Sequence, residues 1–305
     1  MSRHSRLVTS LVVIASAFVV LAACTSDVDD MAAPTTSAPS TAPERDAPST
    51  SSPSPAATTP STTLPPGPIW ADEFNDVAGT RPDPSRWAFE IGGTGWGNRQ
   101  LEFYTDTNAH TDGDGHLVIT AQPVDVTTAP TCWYGACHFV SSRLTTAGLA
   151  SWRYGRFEIR AAFPSGEATW PAFWMLGADV AEVGWPAAGE IDIVEHVGRD
   201  GDVVRGTAHG PGYSGGGAIT ATAEVANHQD FHVYGVEWKP DRIVWSVDGV
   251  EYHRLDKSEE RQWVFDHEFF MVLNLAMGGA LGGQPGDVDF ELKTFAVDYV
   301  RVYAP

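Results

Sequence analysis

The chain has 305 residues, 43% of them hydrophobic, and a formal net charge of −20 at pH 7. So acidic a protein is a poor partner for nucleic acid or an anionic membrane face, since like charges repel within a Debye length. A neutral polysaccharide meets no such repulsion, whereas a heavily sulfated one does.

At the N-terminus, Arg3 and Arg6 precede an apolar run from Leu7 to Ala22, which ends Leu21-Ala22-Ala23-Cys24. A charged start, a short apolar stretch and small residues at the cut describe a secretory signal. The cysteine after leucine and two alanines looks like a bacterial lipobox, which makes Cys24 the lipidation site and the new N-terminus. An ordinary signal peptide and an uncut spanning helix are the alternatives, the helix being weaker because the run falls short of the ~20 residues a span needs. Lipid on Cys24 places the protein on the outer side of the membrane, its one membrane contact, instead of leaving it secreted.

Residues 25–68 contain ten prolines among many serines and threonines. Too few large apolar side chains are present to offset the ordering entropy, so a disordered, semi-extended tether is expected. The expected division is a signal peptide at 1–23, lipidated cysteine and linker at 24–68, and one folded domain at 69–305. That domain holds 34 acidic and 16 basic residues and is long enough for one core. With Cys24 assigned to lipid, Cys132 and Cys137 remain as a C-x4-C pair in an exported chain. A disulfide there contributes roughly 2 kcal/mol on the chain-entropy model. No second cysteine or histidine pair stands at zinc-site spacing.

Beyond Ile69 the chain shows short alternating runs broken by glycine, proline and aspartate. Examples are Leu117-Val118-Ile119-Thr120, Phe157-Glu158-Ile159-Arg160 and Ile243-Val244-Trp245-Ser246-Val247, the last followed by an Asp248-Gly249 turn. No long stretch has helical periodicity. Many short strands with tight turns imply an all-β antiparallel sandwich.

The chemistry concentrates in Glu190-Ile191-Asp192-Ile193-Val194-Glu195-His196. A β-branched run favours a strand, so Glu190 and Asp192 share one face while Ile191 and Ile193 enter a core. Glu195 has the wrong parity for that face, and one extra residue near Val194, a β-bulge, restores it. Two glutamates around an aspartate on one strand face suit a retaining glycosidase, which needs a nucleophile and a separate acid/base. The plain alternative is an edge strand carrying solvated charges.

This strand, with Trp70-Ala71-Asp72-Glu73-Phe74, Gly95-Trp96-Gly97-Asn98, Trp170-Pro171-Ala172-Phe173-Trp174-Met175, Gly235-Val236-Glu237-Trp238, Asn274-Leu275-Ala276 and Val297-Asp298-Tyr299-Val300-Arg301, resembles glycoside hydrolase family 16. The resemblance runs from about Ile69 to Pro305 and is greatest to laminarinase-like members. It implies a concanavalin-like β-jelly roll with a concave cleft, and cleavage of internal β-1,3 linkages in β-glucans. It further implies Glu190 as nucleophile, Glu195 as acid/base, and Asp192 as the residue that hydrogen-bonds Glu190. Asn98, Arg143, Trp170, Trp174, Trp185 and His209 are the implied sugar contacts, with Trp96 a further cleft candidate. Trp70, Trp87, Trp238 and Trp245 sit in strand-like settings and are expected in the core. No cofactor is needed for the chemistry. A structural calcium is implied at the Asp298 carboxylate with the backbone carbonyls of Glu73 and Gly115. A monomer is expected. One departure stands out: Ala280 follows Gly278-Gly279 where many laminarinases have asparagine, which removes a polar contact.

Other readings are thinner. Gly212-Tyr213-Ser214-Gly215-Gly216 matches a nucleophile elbow in letters but lacks its strand–turn–helix context. His228 and His232 have no H-E-x-x-H around them. A sugar-binding module would use the same sandwich without the acids. Action on mixed-linkage glucan or a galactan, or transfer to a sugar, are the enzymatic alternatives.

Overall fold

The computed structural model describes residues 67–284 and 291–305. Cys24, the expected signal sequence and nearly all of the proline-rich segment therefore lie outside the described residues. Two antiparallel sheets dominate. The seven-stranded one runs, edge to edge, Ile219–Glu224, Val203–His209, Glu190–His196, Thr169–Gly177, Phe269–Met277, Arg143–Thr145 and Ala88–Phe89. The ten-stranded one is built around Gly155–Ala162 and Lys293–Tyr303, flanked by His232–Lys239 on one side and Leu117–Pro123 on the other. Among the described residues, its one parallel pairing joins Glu102–Tyr104 to Phe139–Ser141. The described helices are single turns, the longest being Val180–Val183 and Gly279–Gly282.

Period-two alternation sorts the side chains. In Gly155–Ala162, Phe157, Ile159 and Ala161 are fully buried while Arg156, Glu158 and Arg160 face outward. Their counterparts in the other sheet are Phe173, Met175, Ile191, Met271 and Leu273, in one continuous core. Each such large side chain contributes about 1.5–3 kcal/mol of burial. Trp87, Trp238 and Trp245 are enclosed there as expected, and Trp70 packs edge-on against Trp87 and Trp152. The outer face of the seven-stranded sheet is left to carry polar and aromatic side chains.

A second, small feature is the hairpin Thr131–Cys132 with Gly135–Ala136, closed by the Cys132–Cys137 disulfide. The first and last described strands also pair: Trp70–Asp72 lies against Lys293–Tyr303, with Trp70 opposite Val302.

Candidate active site

The acidic strand is in the middle of its sheet, and its register explains the site. Against Val203–His209, Glu190 faces His209, Asp192 faces Thr207 and Glu195 faces Arg205. A step of three residues is matched to a step of two, so the acidic strand holds one extra residue. On its other flank Asp192 faces Trp174 and Val194 faces Phe173, with Ile193 skipped. This is the bulge that the parity argument required. Ile193 and Val194 both enter the core, and Glu195 returns to the face of Glu190 and Asp192. Gly189 makes the entry possible: its φ is +75°, and a Cβ there would meet Phe269 and Val264 at 2.9 Å.

The neighbouring strand and the turn that precedes Glu190 each supply an indole donor. Trp170 Nε1 donates to Glu195 Oε1 at 2.9 Å, and Trp185 Nε1 donates to Glu190 Oε2 at 2.7 Å. Trp170 is buried whereas Trp185 is about half exposed, at 49%. His209 Nε2 stands 3.1 Å from Asp192 Oδ2 and 3.9 Å from Glu190 Oε1. Its other nitrogen, Nδ1, accepts the Gly215 N–H at 3.2 Å, which leaves the neutral ring's proton on Nε2, toward the acids. The 3.1 Å approach is poorly aligned, however, and Asp192 Oδ2 is buried without a hydrogen-bond partner. Glu190 and Asp192 are hydrogen-bonded side chain to side chain, and the Trp185 indole N–H is a further partner of Glu190.

Burial dominates the electrostatics. Glu190 is pushed up to about 8, first by loss of water and then by the charge of Asp192. Asp192 and Glu195 are raised by the same desolvation and by their neighbours' charges. Trp170 and the Arg205 charge pull Glu195 back down. Three buried carboxyls so close together cannot all ionise, and they titrate as one unit.

From the acids toward the Ala88–Phe89 edge the face continues through aromatic and cationic groups. Trp174 Nε1 donates to Asn274 Oδ1 at 2.8 Å, and Asn274 Nδ2 donates to Tyr104 Oη at 3.0 Å. The Arg143 guanidinium lies 4.8 Å from the Trp174 ring and 4.7 Å from the Trp96 ring, and it is paired with Glu90. Arg143 is thus held between two indoles rather than left free in the cleft. Asn98 is exposed on the loop beside Trp96, and its backbone carbonyl accepts the Ala280 N–H at 2.7 Å. The methyl-bearing Ala280 keeps this backbone bond and lacks only the side-chain contact.

Glu190, Asp192, Glu195, Trp170, Trp174, Trp185 and His209 therefore come together, with Arg143 and Asn98 at one end. Arg205, Asn274, Tyr104 and Glu90 belong to the same surface and were not singled out from sequence. Asn274 stood inside a quoted motif, but only strand pairing shows that it faces Arg143 and Ala172. On the opposite sheet, the Asp298 carboxylate is paired with Arg160, and the Glu73 carboxylate with Arg301. A cation bound through Asp298 would have to share it with that guanidinium. Ser214 precedes a single 3₁₀ turn rather than a helix, so the elbow reading lacks its geometry.

A β-sandwich that carries a bulge-aligned pair of glutamates within an aromatic cleft defines a glycosidase. The chain belongs to glycosyl hydrolases family 16, whose model matches residues 97–300. It is 44% identical over 256 residues to a beta-glucanase of Rhodothermus marinus, covering 77% of this chain and 84% of that protein. It is 37% identical to a glucan endo-1,3-beta-glucosidase of Cryptopygus antarcticus, covering 76% and 90% respectively. Among solved structures it is similar to the laminarinase catalytic domain of Thermotoga maritima, with 43% identity and a TM-score of 0.72 over 78% of this chain and 98% of that one.

Proposed function

We propose that the protein is a retaining endo-β-1,3-glucanase acting on β-glucans such as laminarin. The observation that carries this reading is the bulge, which turns Glu195 onto the face of Glu190 with an indole N–H fixed on each. Relatives named for β-1,3-glucan cleavage, matched over nearly the whole folded region, support the substrate.

Chemistry assigns the roles. Glu190 attacks the anomeric carbon while Glu195 gives its proton to the leaving oxygen, forming a glycosyl-enzyme. Glu195 then takes a proton from water, which attacks the same carbon and frees Glu190. The first step needs Glu195 protonated and Glu190 ionised. The proton shared between Glu190 and Asp192 rests on Asp192, the more deeply buried of the two, and the charge-raising effect of Asp192 on Glu190 then disappears. The Trp185 N–H stabilises the Glu190 anion that results. No cofactor takes part in these steps. Lipid on Cys24, a monomeric state, and a stabilising calcium at Asp298 with the Glu73 and Gly115 carbonyls complete the proposal.

The test is to incubate the enzyme with β-1,3-glucan, mixed-linkage β-glucan and a galactan, and to size the products. Rapid release of a ladder of short β-1,3 oligosaccharides is expected. Products from the galactan alone, or single glucose units only, would overturn the assignment.

A further inference from the structure

We propose that Trp133 forms a distal sugar-binding subsite, which prolongs the cleft beyond Trp96 and takes an outlying glucosyl unit of the same β-glucan chain. The inference rests on the glucanase reading above. Trp133 occupies the tip of the disulfide-closed hairpin, and that hairpin is docked along the loop that carries Trp96. Trp133 N donates to Gly93 O at 2.8 Å, its Nε1 donates to Gln100 O at 2.8 Å, and Tyr134 Oη donates to Leu101 O at 2.6 Å. Two glycines permit the approach. A Cβ on Gly93 would lie 2.5 Å from Cys132 Sγ, and one on Gly95 would lie 2.8 Å from Trp133 Cδ1. The indole is therefore wedged against the residue next to Trp96.

Despite this anchoring, Trp133 is 49% exposed, the same value as Trp185 at the catalytic centre. Its N–H is already bound to protein, so what it offers to solvent is ring surface alone. Such a surface suits the C–H face of a pyranose, and a ligand seeking hydrogen bonds gains nothing from it. Tyr134 props the ring edge-on, with centroids 5.3 Å apart, which limits the freedom lost when a sugar stacks. Continuity identifies the occupant. Trp174, Arg143 and Trp96 form an unbroken line of contacts outward from the acidic strand. Trp133, through Gly95, is the next large aromatic surface on that line.

Trp133→Ala and Trp133→Phe in the full chain test the idea, with kcat and KM measured on β-1,3-gluco-oligosaccharides of increasing length and on laminarin. Trp133→Ala should raise KM for long chains roughly three- to tenfold, the range of one aromatic stacking contact, with kcat held. The shortest cleavable oligosaccharides should be unaffected, and Trp133→Phe should recover most of the loss. An equal loss at every length would show that Trp133 only supports the Trp96 loop, and no change at any length would show that nothing stacks there; either overturns the subsite. A wild type inert on all β-1,3-glucans would instead overturn the glucanase reading itself.

Discussion

The two glutamates differ by what their removal leaves behind. Glu190→Ser removes the group that forms the covalent intermediate, so hydrolysis should stop on every substrate. Azide should restore part of the turnover with an inverted product, because the anion enters from the emptied side and no second displacement follows. Glu195→Ala should still react with substrates whose leaving group needs no proton, and then stall as a glycosyl-enzyme that azide releases with net retention. Product anomers read by NMR distinguish the two; reversed responses would exchange the roles and identical ones would dissolve them. Of this site, the acids and their bulge were legible because strand parity is a property of consecutive residues. Arg205, Glu90 and Tyr104 were not, because each arrives from another segment of the chain and only the folded pairing shows what it faces. The Asp192 contact with Glu190 was read from the resemblance, whereas the Trp185 N–H on the same carboxylate was not foreseen.

At the level of the strands, alternation located most of the sandwich, while short edge pieces such as Ala88–Phe89 carried too few residues to show a period. One strand hides a charge that alternation could not explain. Glu102 is fully buried in Glu102–Tyr104, where its Oε2 accepts the Met277 N–H at 2.7 Å and its Oε1 has no partner. Burial raises it to about 7, against an ordinary value of 4.5. The folded state thus binds this proton more tightly than the unfolded one. The stabilisation is complete below about pH 4.5 and is lost as pH rises toward and through 7. Glu102→Gln keeps an acceptor for Met277 and removes the ionisation. Its melting temperature relative to wild type should therefore rise progressively from pH 5 to pH 8, by a few degrees. A constant difference across that range, in parallel thermal melts, would mean that Glu102 does not titrate there.

For the molecule as a whole, the acidic composition is compatible with a neutral polymer, and the proposed lipid on Cys24 can be tested directly. Cys24→Ser should move the protein from the membrane fraction to the medium or leave it unprocessed, as read by fractionation and by the mass of the mature N-terminus. Mature protein still bound to membrane would show that another segment anchors it.

The pairing of Trp70 with Val302 brings both ends of the sandwich to neighbouring strands of the ten-stranded sheet, whereas the acids belong to the other sheet. A bead, a fusion partner or a neighbouring enzyme attached through either end of the sandwich should thus be received on the sheet that does not carry the acids. Two such domains could be joined in tandem through these adjacent ends, or the chain could be recircularised and reopened elsewhere. In each case the cleft would stay open to a polymer much longer than the protein itself.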